Sequence, residues 1–248
     1  MTRYTLPAPV PLSHTAPDPA AAGVPVLLVH GFGSDYELNW ERTGWTRALA
    51  DLPVFGCDLR GHGASGKPHD SREYTPAAFV GDLAAVLDAL AIERADVVGY
   101  SLGARLAWEL ALAHPHRVRR AVLAGFGPRD AFAGTDLENL EADDSPFGRV
   151  FRSAAALPGG DPAALAACAR GQAAHPFRAE PAPEGTPMLL MAGERDELAD
   201  GVEDLARGVG GAVLRAPGRD HRTAVAARSL KRAATEFLTA EADALSQS

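Results

Sequence analysis

The residues best suited to chemistry lie in one stretch, where Val97 and Val98 run into Gly99-Tyr100-Ser101-Leu102-Gly103 and a helical pattern follows. A Gly-x-Ser-x-Gly segment between a strand and a helix predicts a sharp turn that lifts the central hydroxyl clear of the sheet. The N–H of Leu102, at the positive end of the helix, would point at an oxyanion forming beside Ser101. Ser101 is therefore the candidate nucleophile and Leu102 a candidate oxyanion donor. The structural alternative is a plain helix start, where serine is common.

A serine hydroxyl needs a base to take its proton, and the base needs an acid that orients it. His221 lies in the loop after the last predicted strand, and Asp196 ends a Gly-x-x-Asp loop after the strand before it. The sequence thus predicts a Ser101, Asp196, His221 triad in that chain order. Because other acidic residues crowd these loops, Asp130, after the preceding strand, is the alternative acid.

A second oxyanion donor is predicted in His30-Gly31-Phe32-Gly33, which follows the apolar run Val24–Val29. Glycines directly after a buried strand let the backbone turn closely, so the N–H of Phe32 could face the oxyanion. We assign substrate binding to His30, Tyr100 and Phe126. For His30, a structural role with both ring nitrogens hydrogen-bonded is favoured over catalysis.

Short apolar runs alternate with helical patterns along the chain, as in a parallel sheet with right-handed crossovers. The prediction is an α/β fold: a mostly parallel, doubly wound sheet of about six to eight strands with helices on both faces. Six strands are evident, at Val24–Val29, Pro53–Cys57, Ala95–Tyr100, Arg119–Gly125, Pro187–Met191 and Ala212–Arg215, and a short edge strand is possible near Tyr4 and Leu6. Helices are predicted at Trp40–Asp51, behind Thr75-Pro76, and at Leu102–His114, Val202–Val209 and Arg222–Leu238. Ligands of such sheets bind beyond the carboxyl ends of the strands, so the candidate residues should meet on one rim.

We expect residues 1–248 to form a single domain with an inserted segment at 126–185, which lacks any strand pattern. Short helical patches occur at Leu137–Ala142, Phe147–Ala156 and Pro162–Ala173. A structureless loop of this length would be unusual, so the segment predicts a small helical cap. Its apolar side chains form a packing face or line a pocket; they are Phe132, Phe147, Val150 and Phe151.

Composition narrows the function classes. Hydrophobic residues make up 46% and charged residues 23%, as in an ordinary globular protein, and the net charge of −8 argues against nucleic acid or an anionic membrane as partner. Cys57 and Cys168 show no disulfide framework and no metal-ligand spacing. The N-terminus does not have the pattern of a signal peptide, and no apolar run approaches a membrane span. We therefore expect a cytoplasmic monomer or homodimer that acts on a small molecule without a metal or other cofactor.

Five segments in this order resemble the α/β-hydrolase superfamily, in its small, cap-bearing serine hydrolase branch. They are His30–Gly33, Asp58–Ser65, Gly99–Gly103, Gly193–Asp196 and Gly218–His221. The resemblance implies a Ser–His–Asp triad, oxyanion donors at Phe32 and Leu102, and an insert that covers the site. The superfamily's sheet usually has eight strands, whereas six are evident here, and the cap is short.

Serine at the turn distinguishes the chain from relatives that open epoxides or displace halide, which carry aspartate there. The resemblance implies hydrolysis of carboxylic esters of small to medium size through an acyl-enzyme. One alternative is lyase chemistry similar to that of the menaquinone-pathway enzyme, which Tyr100 and Arg105 match although its cap tryptophan is missing; as a bland alternative, Arg105 is a helix salt-bridge partner. Others are carbon–carbon hydrolysis, whose usual Gly-Pro after the oxyanion turn is absent, and a non-catalytic hydrolase-fold binding protein.

Overall fold

The computed structural model describes residues 2–7, 9–157 and 159–241. Eight strands form one sheet in the order β1-β2-β4-β3-β5-β6-β7-β8. Their bounds are Tyr4–Leu6 (β1), Leu12–His14 (β2), Val26–Val29 (β3), Val54–Cys57 (β4), Ala95–Tyr100 (β5), Val118–Ala124 (β6), Met188–Gly193 (β7) and Ala212–Ala216 (β8). Strands β3 to β8 pair in parallel, whereas β1 and β2 pair antiparallel at one edge. The α/β class and the mostly parallel sheet are confirmed.

The central strands are buried on both faces, which explains their continuous apolar runs. Eight helices longer than a single 3₁₀ or π turn surround the sheet in the described part of the chain. They are Trp45–Ala48 (α1), Pro76–Ala89 (α2), Leu102–Ala113 (α3), Pro146–Ala155 (α4), Pro162–Ala173 (α5), Val202–Gly208 (α6), His221–Ala224 (α7) and Arg228–Thr239 (α8). Side chains of α2, α3 and α6 form the core on one face of the sheet, and those of α1, α7 and α8 form the core on the other.

Two strands beyond the six evident ones complete the sheet. Strand β1 lies at the expected edge position, but β2 was missed; each has only three residues. Strand β2 joins the sheet through a single antiparallel pair, His14 with Cys57. A tertiary partner and not local pattern therefore defines this strand.

Two predicted helices are interrupted. The expected helix Trp40–Asp51 is a short π-helical turn at Glu37–Glu41 followed by α1, because Gly44 between them has φ +82°, in the left-handed region. The expected closing helix splits into α7 and α8. By contrast, α2 begins where predicted: the hydroxyl of Thr75 accepts the N–H of Ala78 at 3.1 Å.

Residues 126–185, here called the insert, connect β6 to β7 and contain α4 and α5. The expected helix at Leu137–Ala142 does not form; the Asp136 carboxylate instead accepts the N–H groups of the next residues in a turn. The two helices share a small apolar cluster that includes Phe151 and Leu165. Helix α5 is joined to the rest of the fold by Gln172, whose Nε2 donates to Tyr74 O at 2.5 Å.

Candidate active site

Ser101 occupies the turn between β5 and α3 with φ +54° and ψ −116°. It is one of two described non-glycine residues with positive φ. The turn is too tight for side chains at its flanks: a Cβ on Gly99 would overlap Gly103, and a Cβ on Gly103 would overlap Val29 O. This is the strained strand-to-helix geometry that the sequence predicts for a nucleophile.

Three side chains form a hydrogen-bonded chain at the rim of the sheet. His221 Nε2 lies 2.9 Å from Ser101 Oγ, and His221 Nδ1 lies 2.8 Å from Asp196 Oδ1. The Asp196 side chain is fully buried, and its Oδ1 also accepts the N–H of Leu198 at 3.1 Å. A carboxylate on Nδ1 leaves Nε2 unprotonated and able to take the serine proton.

Neighbouring residues hold the histidine loop in place. Asp220 caps α7 by accepting the N–H groups of Arg222 and Thr223, while Thr223 Oγ1 accepts the N–H of Asp220. The hydroxyl of Tyr100 donates to His221 O at 2.5 Å, and the two rings lie 5.6 Å apart. Burial raises the pKa of Tyr100 well above its ordinary value, so this hydroxyl stays protonated.

The alternative acid, Asp130, lies elsewhere. Its carboxylate accepts the N–H of Phe132 at 2.9 Å, and it lines the pocket described below. Of the two candidates, it is Asp196 that the structure places in hydrogen-bond contact with His221.

The loop after β3 passes directly beside Ser101. A Cβ placed on Gly31 would lie 3.3 Å from Ser101 Cβ, and Asn39 Oδ1 accepts the N–H of Gly31 at 3.2 Å. The next residue, Phe32, packs its ring 5.0 Å from that of Phe147 in the insert. The backbone of Phe32 is therefore beside the nucleophile, as an oxyanion donor requires.

His30 does not reach a substrate. It is fully buried; its Nδ1 lies 2.8 Å from Gly31 O, and its Nε2 accepts the N–H of Leu59 at 2.9 Å. Burial lowers its pKa, so the ring is neutral and holds two loops together. The substrate-binding assignment of His30 is thus at odds with its position, and its structural alternative fits.

Ser101 faces two pockets. The closed compartment has a volume of about 690 Å³, including space open to solvent, and contains the predicted residue Phe126. It is lined by Phe32, Ser101, Leu102, Arg105, Phe126, Asp130, Phe132, Phe147, Val150, Gln172 and Phe177, with several other residues. The open compartment contains the other predicted residue, Tyr100, and is lined by Phe32, Gly33, Leu38, Asn39, Tyr100, Ser101, Val150, Ala154, Leu157, His221 and Val225, among others. Only Phe32, Ser101 and Val150 belong to both.

Several lining residues were not singled out as binding residues from sequence. Arg105 lies 3.7 Å from Glu109 Oε1 through its Nε, as expected of a helix salt-bridge partner, but it also lines the closed compartment. Gln172 and Phe177 gave no sequence signal. Phe147 and Val150 carried one, since apolar residues in a segment that covers a site can line its pocket.

A match to the family with the alpha/beta hydrolase fold covers residues 24–161. The chain belongs to the α/β-hydrolase family. Over 103 residues, 42% of this chain, it is 42% identical to the 2-hydroxymuconate semialdehyde hydrolase of Pseudomonas putida. Over 98 residues, 40% of the chain, it is 42% identical to an epoxide hydrolase of Caballeronia sordidicola. These stretches span only about a third of the relatives, 36% and 30% of their lengths.

The whole fold is similar to that of the enol-lactonase from Burkholderia xenovorans, with a TM-score of 0.80. The match covers 94% of this chain and 98% of that one at 20% identity, which shows a common fold. The chain is thus an α/β-hydrolase-fold hydrolase.

Two kinds of site are not found in the described residues. They contain no group of three or more His, Cys, Asp or Glu side chains placed to hold a metal ion. None of their helices is both long enough and apolar enough to cross a membrane.

Proposed function

We propose that this protein hydrolyses carboxylic esters of small to medium size through an acyl-enzyme on Ser101. The observation that carries the proposal is the Ser101–His221–Asp196 hydrogen-bonded chain, whose nucleophile opens onto two compartments. Each of the three roles needs the residue type found there: a weak hydroxyl nucleophile, a titratable base and a buried carboxylate that orients it.

The mechanism follows from the geometry. Ser101 Oγ attacks the ester carbonyl carbon as His221 Nε2 takes the hydroxyl proton. The oxyanion is held by the N–H groups of Phe32 and Leu102. When the carbon–oxygen bond to the alcohol breaks, His221 returns the proton to the leaving oxygen, and Ser101 retains the acyl group. Water then attacks this acyl-enzyme with His221 again as base, which releases the acid and the free serine.

The size of the pocket supports small to medium substrates. The closed compartment, at about 690 Å³, falls within the usual range of small-molecule sites and is walled by phenylalanines. Such a pocket accommodates an acyl group of limited length, so we expect short to medium acyl chains to be preferred over long ones.

Epoxide opening is disfavoured despite the epoxide hydrolase relative. In the covalent route of these enzymes, a carboxylate attacks the epoxide and the resulting ester is hydrolysed. Ser101 would instead form an ether, which this triad has no means to cleave.

Carbon–carbon bond hydrolysis is the second candidate, because the chain is 42% identical over 103 residues to a 2-hydroxymuconate semialdehyde hydrolase. The same triad could serve this reaction, since both reactions pass through an oxyanion beside Ser101. We rank it second because the chain lacks the Gly-Pro that usually follows the oxyanion turn in such enzymes.

The experiment joins labelling to a turnover panel. A fluorophosphonate should add once to the wild-type protein, at Ser101, and not to S101A. The panel contains p-nitrophenyl esters of increasing acyl length, a thioester, an amide and 2-hydroxymuconate semialdehyde. Ester turnover that S101A abolishes supports the proposal, whereas turnover of the semialdehyde alone supports the second candidate. Labelling without turnover of any member would favour a binding protein of this fold.

A further inference from the structure

The two compartments divide a bound ester into its two halves. Phe32, Ser101 and Val150 line both compartments, so the nucleophile stands at the boundary between them. A carbonyl carbon within reach of Ser101 Oγ carries two substituents, the acyl chain and the alcohol. Because a compartment lies on each side, each half occupies one.

The position of His221 decides which half goes where. His221 lines the open compartment and does not line the closed one. The leaving alcohol oxygen must receive a proton from His221 Nε2, so the alcohol half lies in the open compartment. The acyl half is then left in the closed compartment, where it stays covalently attached to Ser101 while the alcohol departs.

The closed compartment is built for a planar ring. The ring centroids of Phe126 and Phe177 are 4.7 Å apart at 79°, and those of Phe132 and Phe147 are 4.6 Å apart at 57°. Phenylalanines packed at such steep angles present both faces and edges to the space that they enclose. A planar aromatic group can meet both by stacked and edge-to-face contacts, whereas an alkyl chain gains only its apolar burial.

One wall of this compartment is polar as well as buried. Arg105 follows Ser101 by one turn of α3 and is 7% exposed; its guanidinium donates to His175 O and contacts Gln172 O at 3.5 Å. Its Nε has no hydrogen-bond partner in the described structure, and neither has Oε1 of Gln172, a residue that is 1% exposed. Since Glu109 and Asp130 partly offset the charge of Arg105, this wall suits a neutral substituent that can both accept and donate, such as a hydroxyl.

We propose that the physiological acyl group is a planar aromatic acid carrying a hydroxyl group, esterified to a small alcohol. This inference rests on the proposed ester hydrolase function and names its substrate class. The aromatic ring fills the closed compartment, its hydroxyl lies toward Arg105 and Gln172, and the alcohol leaves through the open compartment beside His221.

The test compares esters that differ only in one half. Ethyl benzoate, ethyl cyclohexanecarboxylate and ethyl hexanoate vary the acyl half, and phenyl acetate against cyclohexyl acetate varies the alcohol half. We expect kcat/KM for the benzoate to exceed that of the cyclohexane ester by about tenfold or more, since each aromatic pair is favourable beyond its burial. The two acetates should differ little, and ethyl 4-hydroxybenzoate should be hydrolysed faster than ethyl benzoate.

Matched variants locate the preference. In F177L, which keeps an apolar wall, the ratio of benzoate to cyclohexane ester should fall towards one. L157A, in the open compartment, should leave this ratio unchanged and alter the tolerance for larger alcohols. R105M should abolish the advantage of the hydroxyl group; if this variant does not fold, the wild-type ratio and F177L still test the proposal.

Two outcomes would overturn the inference while the protein still acts as an ester hydrolase. One is an equal or greater rate with the alkyl acyl groups, and the other is an aryl preference confined to the alcohol half. Failure of the proposed function is a different result: no ester in either series is hydrolysed and Ser101 takes up no fluorophosphonate.

Discussion

The rim of the sheet, which carries Ser101, Asp196 and His221, and the insert, which covers it, are held by different kinds of contact. Backbone packing fixes the rim: glycines at the serine turn and at the end of β7 allow strands and loops to approach more closely than a Cβ would permit. Side chains hold the insert, through Gln172 on Tyr74 and an ion pair between His69 and Asp161 at 2.9 Å.

This difference separates chemistry from selectivity. A triad mounted on backbone that cannot move without breaking the sheet keeps its distances when surface residues change. An insert seated by a few side chains can be repacked by single substitutions, and it supplies Phe132, Phe147, Val150, Gln172 and Phe177 to the pocket. We therefore expect rim variants to lower kcat and insert variants to change the ranking of substrates.

The largest effect should come from the acid of the rim. D196N keeps the shape of the side chain but can no longer hold His221 in the tautomer that accepts the serine proton. We expect kcat to fall by about 10⁴-fold with little change in KM, as for an orienting aspartate in serine proteases. D130N, on the pocket wall, is the matched control and should alter kcat far less. Steady-state kinetics of both variants with one ester measure this, and the reverse ranking would transfer the acid role to Asp130.

The rim was largely predictable from sequence, because its signals are local. Continuous apolar runs marked β3 to β8, and glycines beside Ser101 marked the turn. Parallel strands end on one side of a sheet, so the residues after β5, β7 and β8 had to meet. The triad geometry needed no information beyond this order.

The remaining elements depend on contacts between distant parts of the chain. Strand β2 exists because His14 pairs with Cys57, and nothing in three residues announces it. The predicted helix at Leu137–Ala142 gave way to turns capped by Asp136. The division of the pocket at Val150 was equally out of reach, since it depends on how α4 is seated over Ser101.

A smaller effect is expected where α4 meets the rim, at Gly33. This residue has φ +68°, and an added Cβ would overlap Ala154 Cβ in α4. G33A should push α4 away and shift the neighbouring Phe32, lowering kcat/KM by about 10² by analogy with loss of an oxyanion donor. The double variant G33A/A154G removes the overlap and should recover part of this loss, although the backbone strain remains.

The comparison of ester rates for these two variants and A154G alone tests the seat of the insert. If A154G fails to relieve G33A at all, backbone strain at residue 33 and not contact with α4 explains the loss. The junction would then belong to the rim alone.

Tyr100 should give a modest effect on the rim. Its hydroxyl donates to His221 O, so Y100F removes a hydrogen bond that positions the loop of the base without touching the triad. The loss of one buried hydrogen bond predicts a decrease in kcat of about tenfold. KM for small esters should be unchanged, and pH–rate profiles of kcat should shift relative to the wild type because the imidazole is held less firmly. A change in KM alone would instead mean that Tyr100 acts by contacting substrate.

The smallest effect on activity at neutral pH is expected at His62, which lies beneath the rim, with its ring 5.7 Å from that of Phe32. The ring is buried and close to His30, and its Nδ1 lies 2.8 Å from Arg60 O. Burial lowers the pKa of His62 from 6.5 to about 3. Below pH 6.5 the unfolded chain therefore binds a proton at His62 that the folded protein does not.

The sign of the pH effect follows from this difference. The contribution of His62 to stability is complete above about pH 6.5 and is lost as the pH falls towards 3, at up to ~1.4 kcal/mol per pH unit. Asparagine can donate to the same carbonyl but does not titrate, so H62N should flatten the pH dependence of the free energy of unfolding over this range. H116N, at an exposed position, should leave the slope as in the wild type. Denaturant unfolding at pH 4.5, 5.5, 6.5 and 7.5 measures the slopes; parallel curves for H62N and wild type would show that His62 takes up its proton in the folded rim, and its ring would then have to be accessible to water.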